Sequence, residues 1–167
     1  MIIGIGGVSN AGKSKLAEEI KNLFPERLVQ VICQDDHVRP KYEIPLINDH
    51  VDWESPESIN FAAFEKAILE ANGIADVVIS EGLFAFYNPH LYEQYDKKIV
   101  IEIPKETFLE RKRKDLRWGK EPDWYIEHIW RSYQQFGKPF HQKPDFLSLD
   151  GNKIFDMEKI LRYIKDK

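Results

Sequence analysis

The chain has one cysteine, no long apolar run and no excess of positive charge, and each absence excludes a class of protein. A single thiol, Cys33, cannot form an intrachain disulfide, which excludes a small disulfide-stabilised secreted fold. No apolar run reaches the roughly 18 residues of a membrane span, and the first residues lack the features of a signal peptide. The formal net charge of −4 argues against nucleic acid as the main partner. We therefore expect a cytoplasmic protein that binds neither membranes nor nucleic acid.

The pattern of apolar residues predicts an α/β fold with a parallel sheet. With 167 residues, 43% of them hydrophobic, the chain is long enough for one domain with its own core, spanning 1–167. Short apolar, β-branched runs alternate with helical patterns, which is typical of five parallel strands with helices on both faces. The predicted strands are 2–6, 28–33, 77–80, 98–103 and, more weakly, 146–149. The predicted helices are 13–23, 56–72, 105–117, 123–136 and 157–164, the second capped by Ser55 before Pro56.

A phosphate-binding loop follows the first predicted strand. The segment Gly7-Val-Ser-Asn-Ala-Gly12-Lys13-Ser14 matches the pattern G-x-x-x-x-G-K-[ST] between a strand and a helix. Backbone N–H groups and the helix N-terminus would bind the β-phosphate, Lys13 the β- and γ-phosphates, and the Ser14 hydroxyl a Mg²⁺ ion. The residues that we expect to contact ATP are Gly7, Asn10, Ala11, Gly12, Lys13, Ser14 and Lys15.

Two large classes of nucleotide-binding protein fit the sequence less well. A guanine-reading Asn-Lys-x-Asp motif is absent, and the nearest segment, Asp150 to Lys153, has the wrong order. The third predicted strand is followed by Glu81-Gly82, where motor ATPases usually have an Asp-Glu pair. A kinase is favoured over a GTPase or a motor ATPase.

Acidic residues follow the second predicted strand, beside the phosphate loop. The segment Cys33-Gln-Asp35-Asp36-His37 places carboxylates at the carboxyl end of a strand, where open α/β sheets bind their ligands. Such a carboxylate can orient an acceptor hydroxyl and take its proton. Asp35 is the predicted catalytic base and Asp36 the second choice; a solvated turn is the alternative. We expect Cys33 to be a buried, inert thiol and His37 a loop residue.

A second acceptor element is expected at Asp52-Trp53-Glu54-Ser55-Pro56. The segment offers two carboxylates, Asp52 and Glu54, and a carboxylate can accept hydrogen bonds from both hydroxyls of a ribose, while the Trp53 indole could stack on a base. Burial of Trp53 in the core is the competing interpretation. The segment lies in 35–54, a stretch without clear secondary structure that is long enough to be functional.

A basic cluster indicates a lid. Residues 111–120 contain six cations and one acid. A solvated helix face is the usual explanation of such a run, but a kinase lid would use the same residues to cover the transferring phosphates. Arg117 is the stronger candidate and Arg113 the weaker one for contacting ATP. Trp124 and Tyr125, in the first turn of the next helix, could face the base, so that the lid covers about 111–125.

With these motifs in order, the sequence resembles the uridine kinase and nicotinamide riboside kinase group of P-loop kinases, more closely the second. The shared features are the Gly-Val-Ser-Asn phosphate loop, Gln34-Asp-Asp36, Trp53-Glu-Ser-Pro56, Ile79-Ser-Glu-Gly-Leu-Phe84 and the Arg-rich helix. The resemblance implies a three-layer P-loop NTPase fold, with Asp35 as catalytic carboxylate and Arg117 in the lid. It also implies Glu54 as ribose ligand, Trp53 as stacking aromatic and Glu81 near the metal or acceptor.

The expected activity is Mg²⁺- and ATP-dependent phosphorylation of a nucleoside 5′-hydroxyl, with nicotinamide riboside as the first acceptor to test. The first alternative is a uridine or cytidine kinase, or a kinase of another small hydroxyl metabolite. An alternative of another class is a module that senses ATP without turnover. The sequence leaves the oligomeric state open.

Overall fold

The computed structural model of the chain describes residues 1–117, 119–139 and 145–166. Five strands form the main sheet: β1 (Ile2–Gly7), β2 (Val29–Cys33), β5 (Val77–Gly82), β6 (Lys97–Glu102) and β7 (Leu147–Asp150). Two short strands, β3 (Leu46–Ile47) and β4 (His50–Val51), form a separate antiparallel hairpin.

The main sheet has the order β2-β5-β1-β6-β7, and all of its neighbouring strands are parallel. Parallel strands need crossover connections, and helices supply them on both faces of the sheet. The α/β class, the five strands and their parallel pairing are therefore confirmed. β1 lies at the centre of the sheet, so the phosphate loop that follows it leaves the middle of the carboxyl-terminal edge.

Six α-helices accompany the sheet within the described residues: α1 (Lys13–Lys21), α2 (Phe61–Asn72), α3 (Pro89–Gln94), α4 (Lys105–Lys114), α5 (Asp123–Ser132) and α6 (Met157–Lys165). One core cluster contains side chains from α1, α4, α5 and α6, such as Leu16, Phe108, Ile129 and Ile160. The other contains side chains from α2 and α3, such as Phe64 and Leu91. The sheet lies between these two apolar layers.

Two glycines of β1 allow aromatic rings to pack directly on the backbone. A Cβ added at Gly4 would lie 2.9 Å from the ring of Tyr95, and one at Gly6 would lie 2.5 Å from Phe86. Ile3 and Ile5 alternate with these glycines and belong to the opposite core cluster. Larger residues at positions 4 and 6 would displace the rings that fix the central strand.

Several predicted boundaries are wrong for identifiable reasons. Ser55 caps a short 3₁₀ turn at Pro56–Ser58, and α2 begins only at Phe61, where the Asn60 side chain accepts a hydrogen bond from the N–H of Ala63. α4 ends at Lys114 rather than at residue 117. α5 continues into a wider π-type turn at Tyr133–Gly137. The hairpin and α3 had no sequence prediction because their apolar patterns are too short for a periodicity.

Candidate active site

An open cleft of about 550 Å³ lies at the carboxyl-terminal edge of the main sheet. The phosphate loop after β1, the turn after β2 and the end of β5 border it, and the end of α4 covers one side. This is the edge at which open α/β sheets bind ligands. The residues that line the cleft are Ser9, Asn10, Gly12, Lys13, Ser14, Asp35, Glu81, Arg111, Lys114, Asp115 and Arg117.

The phosphate loop turns tightly before α1 begins. Asn10 has a φ of 61° and Gly12 a φ of 108°, and the N–H of Ala11 donates to the carbonyl of Val8 at 3.1 Å. A φ of this kind favours glycine at position 12, where an L side chain would strain the backbone. Lys13 folds back so that its Nζ donates to the carbonyl of Val8 at 3.3 Å. The ammonium group is therefore held at the loop.

Not every residue predicted to contact ATP has its side chain in the cleft. Ala11 is buried in the core, at 1% exposure, and Gly7 does not line the cleft, so these two could contribute only backbone groups. The Lys15 side chain is 68% exposed and lies 3.7 Å from Glu19, one turn along α1. The Lys15 side chain therefore points away from the loop, so that only its backbone N–H remains for the predicted contact with ATP.

Glu81 connects the phosphate loop to β2 and β5. The Ser14 hydroxyl donates to Oε1 of Glu81 at 2.7 Å, and the Cys33 thiol donates to the same oxygen at 3.3 Å. Cys33 and Glu81 are register partners on adjacent parallel strands. Burial, together with the negative charges of Glu81 and Asp35, raises the pKa of the Cys33 thiol to about 12. The thiol therefore stays protonated, in agreement with an inert role.

Asp35 and Asp36 lie in a 3₁₀ turn, Gln34–His37, directly after β2. Asp35 lines the cleft and Asp36 does not. Burial of the carboxyl group raises the pKa of Asp35, and Glu81 and Asp36 add to this effect, while Lys13 and Arg117 oppose it. The residue as a whole remains exposed to solvent. Of the two acids, Asp35 has the position expected for a base.

Of the two arginines predicted from the basic cluster, Arg117 lines the cleft, and Arg111 takes the place expected for Arg113. Arg111 lines the cleft and donates to the carbonyls of Asn10 and Gly151 at 3.1 and 2.9 Å. Arg113 instead pairs with Asp123 at 3.0 Å and does not line the cleft, and its contact with ATP stays a prediction. Two residues along a helix turn the side chain to another face, which explains why Arg111 takes this place.

Arg117 lies beyond the end of α4, on the cleft, and is held by a neighbouring acid. Its Nε and Nη2 donate to the two oxygens of Asp115 at 2.8 and 2.7 Å. Asp115 also accepts from the Asn10 side-chain amide at 3.1 Å. The hydrogen bonds from Arg117 hold the pKa of Asp115 well below its usual range. Asp115 is not among the site residues predicted from the sequence, although an acid within a basic cluster is a usable signal.

The predicted acceptor residues lie between the hairpin and α5. Trp53 is 38% exposed and Trp124 36%, so both can present ring surface to a ligand. Tyr125 is only 1% exposed, and its hydroxyl accepts a hydrogen bond from the N–H of Trp53 at 3.1 Å. The prediction that Tyr125 faces the base is therefore wrong, because its ring is buried in the apolar core on one side of the sheet.

Glu54 combines burial with strong electrostatic coupling. Burial raises the pKa of its carboxyl to about 7, and the negative charges of Asp35 and Glu121 act in the same direction. Lys112 and Lys13 oppose the increase. Lys112 is itself buried and lies 3.0 Å from Glu121. Coupling to Asp35 and Lys13 places the Glu54 carboxyl within electrostatic range of the cleft.

Comparison with known proteins identifies the family. No protein-family profile matches the chain. It is 30% identical over 170 residues to the uridine kinase of Chlamydia pneumoniae, covering 86% of this chain and 75% of that protein. The chain belongs to the uridine kinase and nicotinamide riboside kinase family of P-loop kinases. Mouse (Mus musculus) nicotinamide riboside kinase 2 is 25% identical over 174 residues, covering 92% of this chain and 88% of that protein.

Solved structures of P-loop kinases have the same fold as this member of the family. The deoxyadenosine kinase of M. mycoides aligns with a TM-score of 0.61 at 16% identity, covering 99% of this chain and 100% of that one. The predicted three-layer P-loop NTPase fold is confirmed. As a family member the protein is a phosphotransferase.

The donor set at the phosphate loop fits the metal that P-loop kinases use with ATP. Ser14 and Glu81 offer hard oxygen atoms beside Lys13. Within the described residues, no group of three or more His, Cys, Asp or Glu side chains could form a protein cage for a metal. Mg²⁺ keeps several waters and binds through one or two protein oxygens together with substrate phosphates, so a sparse site suits it.

In the parts of the chain that the structure describes, no helix has the length and apolar character needed to cross a membrane.

Proposed function

We propose that the protein is an ATP-dependent nucleoside kinase that phosphorylates the ribose 5′-hydroxyl, with nicotinamide riboside as acceptor. The observation that supports it is the shared position of Lys13, Ser14 and Asp35 on one cleft, with the Glu54 carboxyl electrostatically coupled to Asp35 and Lys13. A loop that binds phosphates and a carboxylate that can accept a proton are the two halves of a phosphoryl transfer site.

Each half has its own chemistry. The acceptor hydroxyl attacks the γ-phosphorus, the bond from that phosphorus to the β–γ bridging oxygen breaks, and Asp35 takes the hydroxyl proton. Lys13 and Arg117 neutralise charge that develops on the transferring group. Ser14 and Glu81 would hold Mg²⁺, which supplies further charge neutralisation when bound. We place all of this in one domain, 1–167, with a lid at about 111–125.

The acceptor half favours a cationic base. Trp53 and Trp124 have exposed ring surface, and an aromatic face attracts a cation more than a neutral ring. The nicotinamide ring of the riboside is permanently cationic, whereas uracil is neutral. Uridine or cytidine is the second candidate, because the relative at 30% identity is a uridine kinase. A module that only senses ATP would need the phosphate loop but not Asp35 and Glu54 beside it.

A panel of nucleosides tests the proposal. Purified protein is incubated with ATP, Mg²⁺ and each nucleoside, and the position of the phosphate on the product is determined. We expect a 5′-monophosphate, with the highest kcat/KM for nicotinamide riboside. Lys13→Ala serves as the control for contaminating kinases. A product with phosphate elsewhere, or no turnover of any nucleoside, would contradict the proposal.

A further inference from the structure

Four consecutive residues, Val51 to Glu54, are hydrogen-bonded to side chains on one face of α5. This strip runs from the last residue of the hairpin towards the turn before α2 and includes two of the predicted acceptor ligands, Trp53 and Glu54. Tyr125, His128 and Ser132 follow one another at spacings of three and four residues, so their side chains lie on a single helix face. That face determines where Trp53 and Glu54 lie.

Each of these helix side chains contacts a different residue of the strip. The Tyr125 hydroxyl accepts from the N–H of Trp53 at 3.1 Å and donates to the carbonyl of Val51 at 3.4 Å. The Ser132 hydroxyl donates to the carbonyl of Glu54. Both helix residues are buried, at 1% and 4% exposure, so water does not compete strongly for these bonds.

Among these contacts between α5 and residues 51–54, only the one between His128 and Asp52 joins two side chains. Nε2 of His128 lies 2.8 Å from Oδ1 of Asp52, and both side chains are largely buried, at 17% and 13% exposure. A carboxylate oxygen can only accept, so Nε2 is the donor. The same Oδ1 also accepts from the N–H of Glu54 at 3.2 Å. His128 therefore acts on the Glu54 backbone through one oxygen atom.

We propose that His128 is a positioning residue for the acceptor subsite, holding Trp53 and Glu54 in register through Asp52. The inference rests on the proposed function, since it assumes that Trp53 and Glu54 bind the nucleoside. His128 does not line the cleft at the phosphate loop. Its loss should therefore weaken acceptor binding and leave ATP binding unchanged.

Steady-state kinetics with both substrates varied separate this role from a general effect on folding. For His128→Leu we expect the KM of the nucleoside to rise about 10-fold, equivalent to about 1.4 kcal/mol, with the KM of ATP changed by less than about 2-fold. His128→Gln keeps an N–H donor in reach of Asp52 and should bring the nucleoside KM back to within about 3-fold of wild type. A second histidine–carboxylate pair, His90 with Glu65, provides the matched control: His90→Leu should change neither KM.

The outcomes are distinguishable. An unchanged nucleoside KM in folded His128→Leu, an equal rise in both KM values, or a Gln variant no better than Leu would overturn the positioning role while leaving the kinase activity in place. If thermal melting shows that His128→Leu does not fold, Ser132→Ala decides, with a nucleoside KM raised about 3-fold or more and an unchanged KM for ATP expected. No turnover of any nucleoside by wild type would overturn the proposed function and this inference with it.

Discussion

Ser14 donates a hydrogen bond of 2.7 Å from its hydroxyl to Oε1 of Glu81, which joins the first turn of α1 to the end of β5. A hydroxyl has one hydrogen and two lone pairs, so donation to Glu81 leaves the oxygen lone pairs of Ser14 directed elsewhere. Glu81 is 4% exposed and Ser14 is exposed on the cleft. The buried acid thus fixes the orientation of the exposed hydroxyl.

Replacement of Lys13 by alanine should abolish phosphorylation while the fold survives. The ammonium group neutralises charge on the transferring phosphoryl group, and its loss should lower kcat by about 100-fold or more. Lys13 is not part of the core, so the thermal melting temperature should stay close to that of wild type. A variant that retained more than about a tenth of wild-type kcat would contradict the assigned role.

The Asp35→Asn substitution should lower kcat much more than the Asp36→Asn substitution. Asp35 lines the cleft, and its amide variant keeps the shape but loses the base, so kcat should fall by roughly 100-fold or more with the KM of ATP within a few-fold of wild type. Asp36 lies outside the cleft lining and should have the smaller effect. The opposite ranking in a kcat measurement would place the acceptor site one residue further along the chain.

Arg111 and Arg113 provide a matched pair on the same helix. Arg111→Gln removes a charge from the cleft and should lower kcat/KM for ATP by about 10-fold or more, because hydrogen bonds to charged groups are the stronger ones. Arg113→Gln removes an exposed pair with Asp123 and should change kcat/KM by less than about 2-fold. Equal losses in both variants would show that the cluster acts only through its total charge.

The acceptor KM should depend on pH through Glu54. Its pKa is about 7, and the ionised form accepts hydrogen bonds from both ribose hydroxyls, so the KM of the nucleoside should fall as pH rises through about 7. The KM of ATP, measured in the same buffers, is the control. A flat nucleoside KM between about pH 6 and pH 8 would exclude Glu54 as the diol ligand.

Protein stability should fall as pH rises, although acceptor binding becomes stronger. A carboxyl with a raised pKa keeps its proton in the folded state, so its contribution to the free energy of unfolding falls as pH rises from about 4.5, the ordinary glutamate value, to about 7. The thermal melting temperature of Glu54→Gln should therefore fall less than that of wild type between these pH values.

Trp53→Leu tests the cationic acceptor. A cation held against an indole gains about 0.5–2 kcal/mol, so wild type should prefer nicotinamide riboside over uridine by roughly 2- to 30-fold. The leucine variant should lose much of this preference and raise KM more than it lowers kcat, because the stack is made equally in the ground and transition states. A wild type that prefers uridine, or a variant with an unchanged ratio, would favour a uridine or cytidine kinase.

The sequence predicts a part of this fold well where the signal lies within a single strand or turn. The continuous apolar runs of β1, β5 and β6 could only be buried parallel strands, and the phosphate loop is defined by residues in a single turn. The pattern could not show which cations of residues 111–117 face the cleft. Arg111 and Arg113 differ only in the side of the helix on which they lie, and packing of the helix fixes which side faces the cleft. Similarly, a tyrosine in the first turn of α5 could face a ligand as judged from the sequence. Only the contacts of Tyr125 with Val51 and Trp53 show that it holds the backbone of these residues instead.

The order of strands in the main sheet sets the distance between the phosphate loop and the turn after β2. β5 lies between β1, which leads into the phosphate loop, and β2, which leads into the turn that contains Asp35. Two strand spacings of about 4.8 Å therefore separate the starting points of the donor loop and the acceptor turn, and backbone hydrogen bonds fix that distance. We expect substitutions in the hairpin or on α5 to change which acceptor is bound without changing this strand spacing. Donor geometry and acceptor choice would then be separable properties of the molecule.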